Sequence, residues 1–479
     1  MTDRSLVLWC RRNGYVVPVE RLGGLDAGLL YSESATVPLH VSSVVVVDTS
    51  TVPGGFTYEK FRRDVGDRIK ALPELRAKLG DSQFNLDHPV WVQDRNFDLD
   101  RHLNRIALPS PGGREELADV CGHIASIPLD RSKPLWEMWI IEGLDGAALD
   151  AGGPLALMIK VHHSAVDGVS AANLLETLCD LEPDAPPPPP VDGPGDATPW
   201  AIAADGLVRF VTRPWHLTRV VPETAAMVAK TVNRAVSGNA MAAPFTAPRT
   251  RFNAELSSER SIALVQLDLG DVKKVKNHYD VKVNDVVMAL CAGALRGYLT
   301  DRDELPAKPL IAVVPASVHG QSDRPGRNQL SGMFCNLHTD VADSLERLKT
   351  IAASNKRAKE HSGSLGPTLL VDLAQLLSRN MYGWMLALLS RTPLTRTAIH
   401  NVVISNVAGP PTTLYSCGAE VTALYPLGPI FHGSGLNITV MSVADRLNVG
   451  IISCPQLVDD LWDLADRFDV ELGELLQGC

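Results

Sequence analysis

A run of prolines near the middle of the chain constrains the fold more than any other feature. Residues 183–190 read Pro-Asp-Ala-Pro-Pro-Pro-Pro-Pro, and consecutive prolines favour extended polyproline II geometry and cannot nucleate a helix. This stretch therefore predicts a spacer between two folded halves. With 479 residues, the chain is long enough for two domains with sizeable cores. We expect an N-terminal domain over residues 1–182, a proline-rich linker with a bridging helical segment over 183–248, and a C-terminal domain over 249–479.

Strand-like and helix-like segments alternate in both halves. In the first half, the branched residues 44–47 are typical of a buried strand, and residues 58–72 place apolar side chains at helical spacing. Residues 135–141 and 155–161 predict two strands that pair as a hairpin. The second half has a helical segment at 283–298 and strand-like runs at 261–267, 310–315, 402–407 and 436–442. This alternation predicts an α/β fold in both domains.

Composition excludes several classes of protein. The formal net charge of -10 argues against nucleic acid as a partner, because phosphate binding needs a concentrated basic face. The 8 cysteines are scattered without a CxxC pair, which fits a reducing interior better than a disulfide framework or a zinc ribbon. Residues 1–19 lack the apolar core of a signal peptide, and no stretch approaches the roughly 20 apolar residues of a spanning helix. We expect a cytoplasmic protein that binds no nucleic acid.

The sequence His-His-Ser-Ala-Val-Asp-Gly at residues 162–168 follows directly on the second strand of the predicted hairpin. Residues 171–181 then resume with a helical pattern, so the two histidines lie at a strand end, on the loop that enters a helix. Strand ends of α/β proteins are places where side chains meet ligands. A neutral imidazole can take a proton from a hydroxyl near physiological pH. His163 is therefore the candidate catalytic base.

Asp167, four residues after His163, has two candidate roles. As the carboxylate of a catalytic triad it would require a nucleophilic Ser or Cys, and the sequence offers no GxSxG elbow. We favour a structural role, in which Asp167 pairs with an arginine or caps the following helix, while Gly168 permits a backbone conformation that a side chain would hinder. Zinc ligation by His162, His163 and Asp167 is disfavoured, because adjacent residues of an extended chain point to opposite faces. We expect no metal.

The heptapeptide resembles the HHxxxDG signature of the bacterial wax ester synthase/diacylglycerol acyltransferase family, whose members look like chloramphenicol acetyltransferase in fold. Condensation domains of peptide synthetases share this motif. Further segments narrow the choice, because their order is similar to that in the family: Leu25-Asp26-Ala27, Pro38-Leu39-His40, Pro134-Leu135-Trp136, Val283-Asn284-Asp285, 328–336, 405–410 and 435–439. The resemblance covers nearly the whole chain.

The resemblance implies two chloramphenicol acetyltransferase-like domains with the active site in a channel between them. His163 would remove the proton from an acceptor alcohol, and the alkoxide would attack the thioester of an acyl-CoA without a covalent enzyme intermediate. Acyl-CoA is then a substrate, and no cofactor is expected. Asn284 matches a family asparagine proposed to help at the site, where its amide would stabilise the developing oxyanion. An Asn at the start of a helical segment is equally expected as an N-cap.

Other positions that match the family have a structural and a functional interpretation. His162 and Asp285 are expected to support the site. Trp136 either lines the acyl passage or packs in the core. Three polar residues either line the interdomain channel or satisfy strand ends: Ser405, Asn406 and Asn437. The chain departs from the family pattern at His319, Arg327 and Val443, and these departures concern substrate range more than chemistry.

The resemblance predicts an enzyme that makes triacylglycerol or wax ester from long-chain acyl-CoA and diacylglycerol or a fatty alcohol. Two alternatives stay open: a condensation-type acyltransferase that uses another thioester donor, and a lipid-binding or lipid-droplet protein that kept the fold without activity. Substrates this apolar imply peripheral contact with a membrane or droplet surface. The apolar residues 381–389 are one candidate contact, and a helix packed against the second domain is the alternative for that segment.

Overall fold

The structure, a computed structural model, describes residues 20–80, 87–146, 153–165, 177–192, 198–211, 246–317, 330–362 and 398–479. In these ranges the strands form two six-stranded sheets and one three-stranded sheet. Helices pack on the two large sheets. The α/β class predicted from the sequence is confirmed.

The first large sheet carries the histidine motif at the end of a central strand. Its strands are, in spatial order, β12 (Tyr415–Ser416), β13 (Ala419–Leu427), β2 (His40–Asp48), β7 (Pro154–His162), β6 (Trp136–Glu142) and β5 (Leu103–Ala107). The predicted hairpin is confirmed, since β6 and β7 pair antiparallel with Trp136 opposite Val161. On its other side β7 pairs antiparallel with β2, which sets His40 opposite His162.

Strand β2 is buried on both faces, which explains its unbroken run of valines. Val44 and Val46 belong to one hydrophobic cluster, together with helix α3 (Arg114–Ser126). Val45 and Val47 belong to the other cluster, together with helix α2 (Tyr58–Ile69). Helix α1 (Gly24–Ser32) precedes β2 in the chain. Because side chains alternate across a strand, a strand segment covered on both faces is typically apolar at consecutive positions, as at residues 44–47. Branched residues suit such a pleated surface.

Two strands of the first sheet come from the part of the chain that we assigned to the C-terminal domain. Strand β13 pairs antiparallel with β2, with Val421 opposite Val47. It also packs on the second large sheet, so closely that a side chain at Gly450 would overlap the carbonyl of Pro426. The first sheet therefore contains strands from both sides of the predicted domain boundaries at residues 182 and 249.

The second large sheet contains, in spatial order, β10 (Leu330–Asn336), β9 (Ile311–Ser317), β11 (Val402–Val407), β14 (Leu436–Val443), β15 (Arg446–Ser453) and β8 (Ser261–Asp268). Strand β11 runs parallel to both of its neighbours, whereas the other pairings are antiparallel. The four strands predicted in this half are confirmed, and so is the long helix, α5 (Val283–Thr300). Helix α5 is buried among β11 and three helices, α4 (Leu269–His278), α6 (Ser344–Ser362) and α7 (Leu461–Gln477).

The described part of the linker contains an irregular segment followed by a helix, as the sequence predicts. Residues 183–190 form neither helix nor strand, and residues 199–211 are helical. This helix is held to the small sheet, whose order is β1 (Glu20–Arg21), β4 (Val90–Gln93), β3 (Ala77–Gly80). The guanidinium of Arg21 pairs with Asp205 at 2.8 Å, and Ile202 is buried beneath the helix.

Some predicted segments fall outside the described residues. They include residues 212–245 of the bridging segment, the apolar segment 381–389 and most of the helix predicted over 171–181. Among the helices within the described ranges, none combines the length and the apolar character that crossing a membrane requires.

Candidate active site

Three neighbouring strands fix the main chain of the two histidines. His162 is the last residue of β7, and its N–H donates to the carbonyl of Leu135, next to β6, over 2.9 Å. His163 begins a turn, and its N–H donates to the carbonyl of Leu39, next to β2, also over 2.9 Å. The imidazole of His162 is fully buried, whereas His163 is half-buried. The strand end predicted for His163 is therefore present, and its side chain is the more accessible of the two.

The two nitrogens of the His162 ring face different partners. Nδ1 accepts the backbone N–H of Ser164 at 3.0 Å and lies 2.6 Å from the Ser164 hydroxyl. Because Nδ1 acts as an acceptor, the proton of the neutral ring belongs on Nε2. Nε2 lies 3.5 Å from Oε1 of Glu33. His162 thus connects the turn that contains His163 to a buried carboxylate.

Glu33 is a site residue that the sequence reasoning missed. Its side chain is only 6% exposed. Burial raises the pKa of this carboxyl, but His162, Arg131 and the backbone N–H of Leu39 together outweigh burial and lower the pKa to about 2. Glu33 is therefore ionised throughout the physiological pH range.

Strands β7 and β2 also place two buried basic residues, Lys160 and His40, near His162 and Glu33. The Nζ of Lys160 donates to the carbonyls of Ile124 at 2.9 Å and Ile127 at 2.7 Å, and it lies 3.7 Å from a carboxylate oxygen of Glu137. Burial lowers the pKa of Lys160 to about 8. Burial, followed by the positive charge of Lys160, also holds the pKa of His40 well below its usual value. The sequence contains a signal of this buried polar group, since Lys160 and His162 lie on the same face of an otherwise apolar strand.

Asn284 lies in the first turn of α5 but does not cap it. The N-cap residue is Lys282, whose N–H donates to Asp285 Oδ2 at 3.0 Å. The N-cap interpretation of Asn284 is therefore wrong: the carboxylate three residues after Lys282 completes a capping-box contact instead. Asp285 also accepts from the amide of Asn355 at 2.9 Å. Asp285 thus holds the start of α5 in place.

The amide of Asn284 is oriented by a residue on β11. Asn406 Nδ2 donates to Oδ1 of Asn284 at 3.3 Å. With its oxygen used in this way, Asn284 keeps its NH₂ group as a donor. The sequence analysis gives Ser405 and Asn406 the same candidate roles, but neighbouring strand residues point to opposite faces. Asn406 lies on the α5 face, and half-buried Ser405 lies on the other, opposite Thr439 of β14.

Asn437 and Trp136 occupy well-packed positions. Asn437 is buried, donates to the carbonyl of Pro429 at 3.1 Å and accepts from the Thr439 hydroxyl at 2.7 Å. Trp136 is buried, donates from its indole N–H to the carbonyl of Leu75 at 2.7 Å and stacks on the ring of His102 with 4.5 Å between centroids. These contacts favour the structural interpretation at both positions over the channel interpretation.

Several predicted positions lie outside the described residues, namely Asp167, Gly168, His319 and Arg327. In the part of the chain that the structure describes, no group of three or more His, Cys, Asp or Glu side chains is arranged to hold a metal ion.

Solved structures with a similar backbone define the class of fold. The first condensation domain of the calcium-dependent antibiotic synthetase is 16% identical, has a TM-score of 0.56 and covers 96% of this chain and 97% of its own. A trichothecene 15-O-acetyltransferase from Fusarium sporotrichioides is 12% identical, with a TM-score of 0.57 and 95% coverage of both chains. The chain thus has the two-domain α/β fold of chloramphenicol acetyltransferase-like proteins.

Closer matches identify the family within this fold. The family model for the wax ester synthase/diacylglycerol acyltransferase catalytic domain matches residues 22–287, and the model for the C-terminal domain of the same family matches residues 327–476. The wax ester synthase/diacylglycerol acyltransferase from Marinobacter aquaeolei is 30% identical, has a TM-score of 0.69 and covers 96% of this chain and 99% of its own. This chain belongs to the wax ester synthase/diacylglycerol acyltransferase family and is an acyltransferase.

A relative from Mycobacterium tuberculosis is more similar still. It carries the provisional name diacylglycerol O-acyltransferase and is 51% identical over 459 residues, which make up 96% of this chain and 90% of that protein. Another relative from the same organism, with the same provisional name, is 32% identical over 473 residues, or 96% of this chain and 97% of that protein.

Proposed function

We propose that this acyltransferase transfers a long-chain acyl group from acyl-CoA to the hydroxyl of diacylglycerol, accepts a fatty alcohol as an alternative acceptor, and uses His163 as its general base. The observation that carries the proposal is the position of His163. It is half-buried at the end of a central strand, in a turn whose main chain is pinned to both neighbouring strands. The names of the relatives support the choice of diacylglycerol.

In the proposed reaction, the imidazole of His163 takes the proton of the acceptor hydroxyl while the oxygen attacks the carbonyl carbon of the thioester. The resulting tetrahedral intermediate collapses, the C–S bond breaks, and the thiolate of coenzyme A takes the proton back from the imidazolium. No acyl group is attached to the enzyme. One base therefore serves both half-steps, and it works best near its ordinary pKa.

Asn284 is proposed to stabilise the oxyanion of that intermediate. Its carbonyl oxygen accepts from Asn406, which leaves its NH₂ group as a donor. A donor fixed before the reaction stabilises developing charge more than a mobile one does, because no reorganisation is needed at the moment of reaction.

We also propose that the protein associates peripherally, from the cytoplasm, with a membrane or lipid-droplet surface where its apolar substrates reside. The 199–211 helix supports this proposal, since its large apolar residues face outward: Trp200 is 76% exposed, Leu207 53%, Phe210 50% and Val211 63%. Arg21 and buried Ile202 hold the opposite side of the helix. An apolar face with aromatic residues, anchored to a folded body, suits an interfacial helix.

The function is tested with purified protein, labelled palmitoyl-CoA and an acceptor panel of diacylglycerol, hexadecanol and short alcohols. We expect ester formation with the lipid acceptors and its loss in His163→Ala. Equal product from the wild type and His163→Ala would refute the proposed base. Product from a carrier-bound palmitoyl thioester supplied as a second donor, with none from palmitoyl-CoA, would favour a condensation-type donor. Binding without turnover would favour a lipid-binding protein.

A further inference from the structure

The carboxylate of Glu33 lies where four segments of the N-terminal half meet. Glu33 directly follows α1 and precedes β2. Its Oε1 accepts the N–H of Leu39 at 3.2 Å and lies 3.5 Å from Nε2 of His162. Its Oε2 accepts two N–H groups of Arg131, at 3.0 and 2.5 Å. One buried side chain therefore connects α1, the start of β2, the end of β7 and the loop before β6.

Arg131 fixes the direction of this carboxylate. The guanidinium that pairs with Glu33 also donates to the carbonyl of Leu30 in α1, at 2.9 Å. The side chain of Arg131 is 43% exposed, whereas that of Glu33 is 6% exposed. The arginine thus closes the outer side of the carboxylate, and the remaining oxygen faces inward to Leu39 and His162.

Two routes lead from Glu33 to His163. Through the main chain, Leu39 gives its N–H to Glu33 and takes the N–H of His163 on its carbonyl. Through the side chains, His162 faces Glu33 with Nε2 and holds Ser164 with Nδ1. The imidazole of His162 contacts Ser164 through a hydrogen bond, so His163 lies between two residues that are linked to each other. Its backbone position is therefore determined by contacts that originate at Glu33.

A role in stability alone does not account for this arrangement. A buried carboxylate loses much of its hydration, and an apolar residue of similar volume often gives equal or greater stability. Instead, Arg131 and Leu39 donate to Glu33 and the imidazole of His162 faces it at 3.5 Å. Leu39 contacts His163 and His162 adjoins it.

We propose that Glu33, locked by Arg131, is a positioning residue that sets the location of His163 for proton transfer. Its carboxylate accepts the N–H of Leu39 and faces the Nε2 edge of His162 at 3.5 Å, and it touches no reacting atom. This inference rests on the proposed role of His163 as the base. A shift of a base by about 1 Å from its productive position costs on the order of 100-fold in rate.

The test compares Glu33→Gln with the wild type in steady-state assays with palmitoyl-CoA and diacylglycerol. The amide keeps the shape of the side chain but turns an NH₂ group toward a donor. We expect kcat to fall by about 100-fold, with KM and the Kd for palmitoyl-CoA within about twofold of wild type. The matched control is Glu142→Gln, which removes the exposed carboxylate that pairs with Arg105 and should leave kcat unchanged. A folded Glu33→Gln protein with wild-type kcat would overturn the inference, as would an equal loss in the control.

A second variant decides the question if Glu33→Gln does not fold. Arg131→Ala alters a partly exposed side chain and leaves the carboxylate in place with one constraint removed. A folded Arg131→Ala protein with kcat lowered by about tenfold and unchanged Kd for palmitoyl-CoA supports positioning, and an unchanged kcat contradicts it. His163→Ala is assayed in parallel. If that variant keeps wild-type activity, the proposed base fails, whereas an inactive His163→Ala beside fully active Glu33→Gln and Arg131→Ala rejects the positioning role alone.

Discussion

The side-chain amide of Asn406 donates a hydrogen bond to the side-chain oxygen Oδ1 of Asn284 over 3.3 Å. The contact joins the middle of the second sheet to the first turn of α5. This contact decides which end of the Asn284 amide is free to act on a substrate. It joins two residues that are 122 positions apart in the sequence.

The first prediction concerns this pair. Asn284→Ala removes the proposed oxyanion donor and should lower kcat by about 100-fold to 1,000-fold. Asn406→Ala keeps the donor but frees its orientation, so we expect a loss of about tenfold. The measurement is kcat at saturating palmitoyl-CoA and diacylglycerol.

Asn355→Ala is the matched control for both variants. It removes another amide contact to the same helical turn, the hydrogen bond to Asp285. It should lower the melting temperature without a comparable loss of kcat. Asn284→Ala with kcat within twofold of wild type would show that its amide takes no part in the reaction.

The second prediction concerns the buried Lys160. Burial lowers its pKa from 10.5 to about 8, so between these pH values the unfolded chain binds more protons at this site than the folded chain. Folded stability from this group therefore rises as pH increases through this window. The free energy of unfolding of the wild type, minus that of Lys160→Met, should grow by up to about 3 kcal/mol between pH 8 and pH 10.5.

Urea unfolding at pH 7.5, 8.5 and 9.5 measures this difference, and other titrating groups cancel from it. Lys274→Met serves as the control, because Lys274 is 70% exposed and should give a nearly flat difference. A flat difference for Lys160→Met as well would mean that Lys160 keeps its ordinary pKa in the folded protein.

Much of the fold could be predicted from local patterns, because most elements bury a face that repeats at the helical or strand period. The β6–β7 hairpin, helix α5 and the four strands of the second half all have such patterns. The pairing of β13 with β2 could not be predicted, although it joins Val421 to Val47 in the first sheet. Nothing in the two local sequences specifies which distant strand each will meet, since any apolar edge of suitable length would satisfy either one.

The candidate site also contains residues that a local sequence pattern predicts and residues that only tertiary contacts reveal. The placement of His163 followed from a strand that ends at His162, which is a local signal. Glu33 and Arg131 lie 98 residues apart, and each is one charged residue among many in a loop. Their importance depends on their pairing with each other beside His162, which only the tertiary structure shows. The N-cap alternative for Asn284 could have been excluded from the sequence, because Asp285 stands three residues after Lys282, at the spacing of a capping box.

The third prediction concerns acid stability. The pKa of Glu33 is lowered from 4.5 to about 2 in the folded protein, so its contribution is present above pH 4.5 and is lost as pH falls toward 2. We expect the free energy of unfolding of the wild type, minus that of Glu33→Gln, to fall by up to about 3 kcal/mol over this interval. Glu142→Gln, at a side chain that is 41% exposed, should show little change. A difference for Glu33→Gln that does not vary with pH would place the carboxyl pKa near its ordinary value.

The fourth prediction concerns the outward face of the 199–211 helix. The double variant Leu207→Glu/Phe210→Glu puts two charges where the structure exposes two apolar side chains. Each such side chain contributes roughly 1.5 to 3 kcal/mol when it leaves water for an apolar environment, so we expect binding to weaken by about tenfold or more. Flotation with phosphatidylcholine vesicles that contain diacylglycerol measures the bound fraction.

Two comparisons separate lipid contact from misfolding. Val470→Glu also charges an exposed apolar residue, 59% accessible on α7, and should leave vesicle binding unchanged. Activity toward a water-soluble short alcohol should also persist in the double variant, because the helix is attached through Arg21 of the small sheet rather than through the residues that hold His163. Full vesicle binding by the double variant would exclude this face as the lipid contact, and equal weakening by Val470→Glu would show that binding is spread over the surface rather than concentrated on one helix.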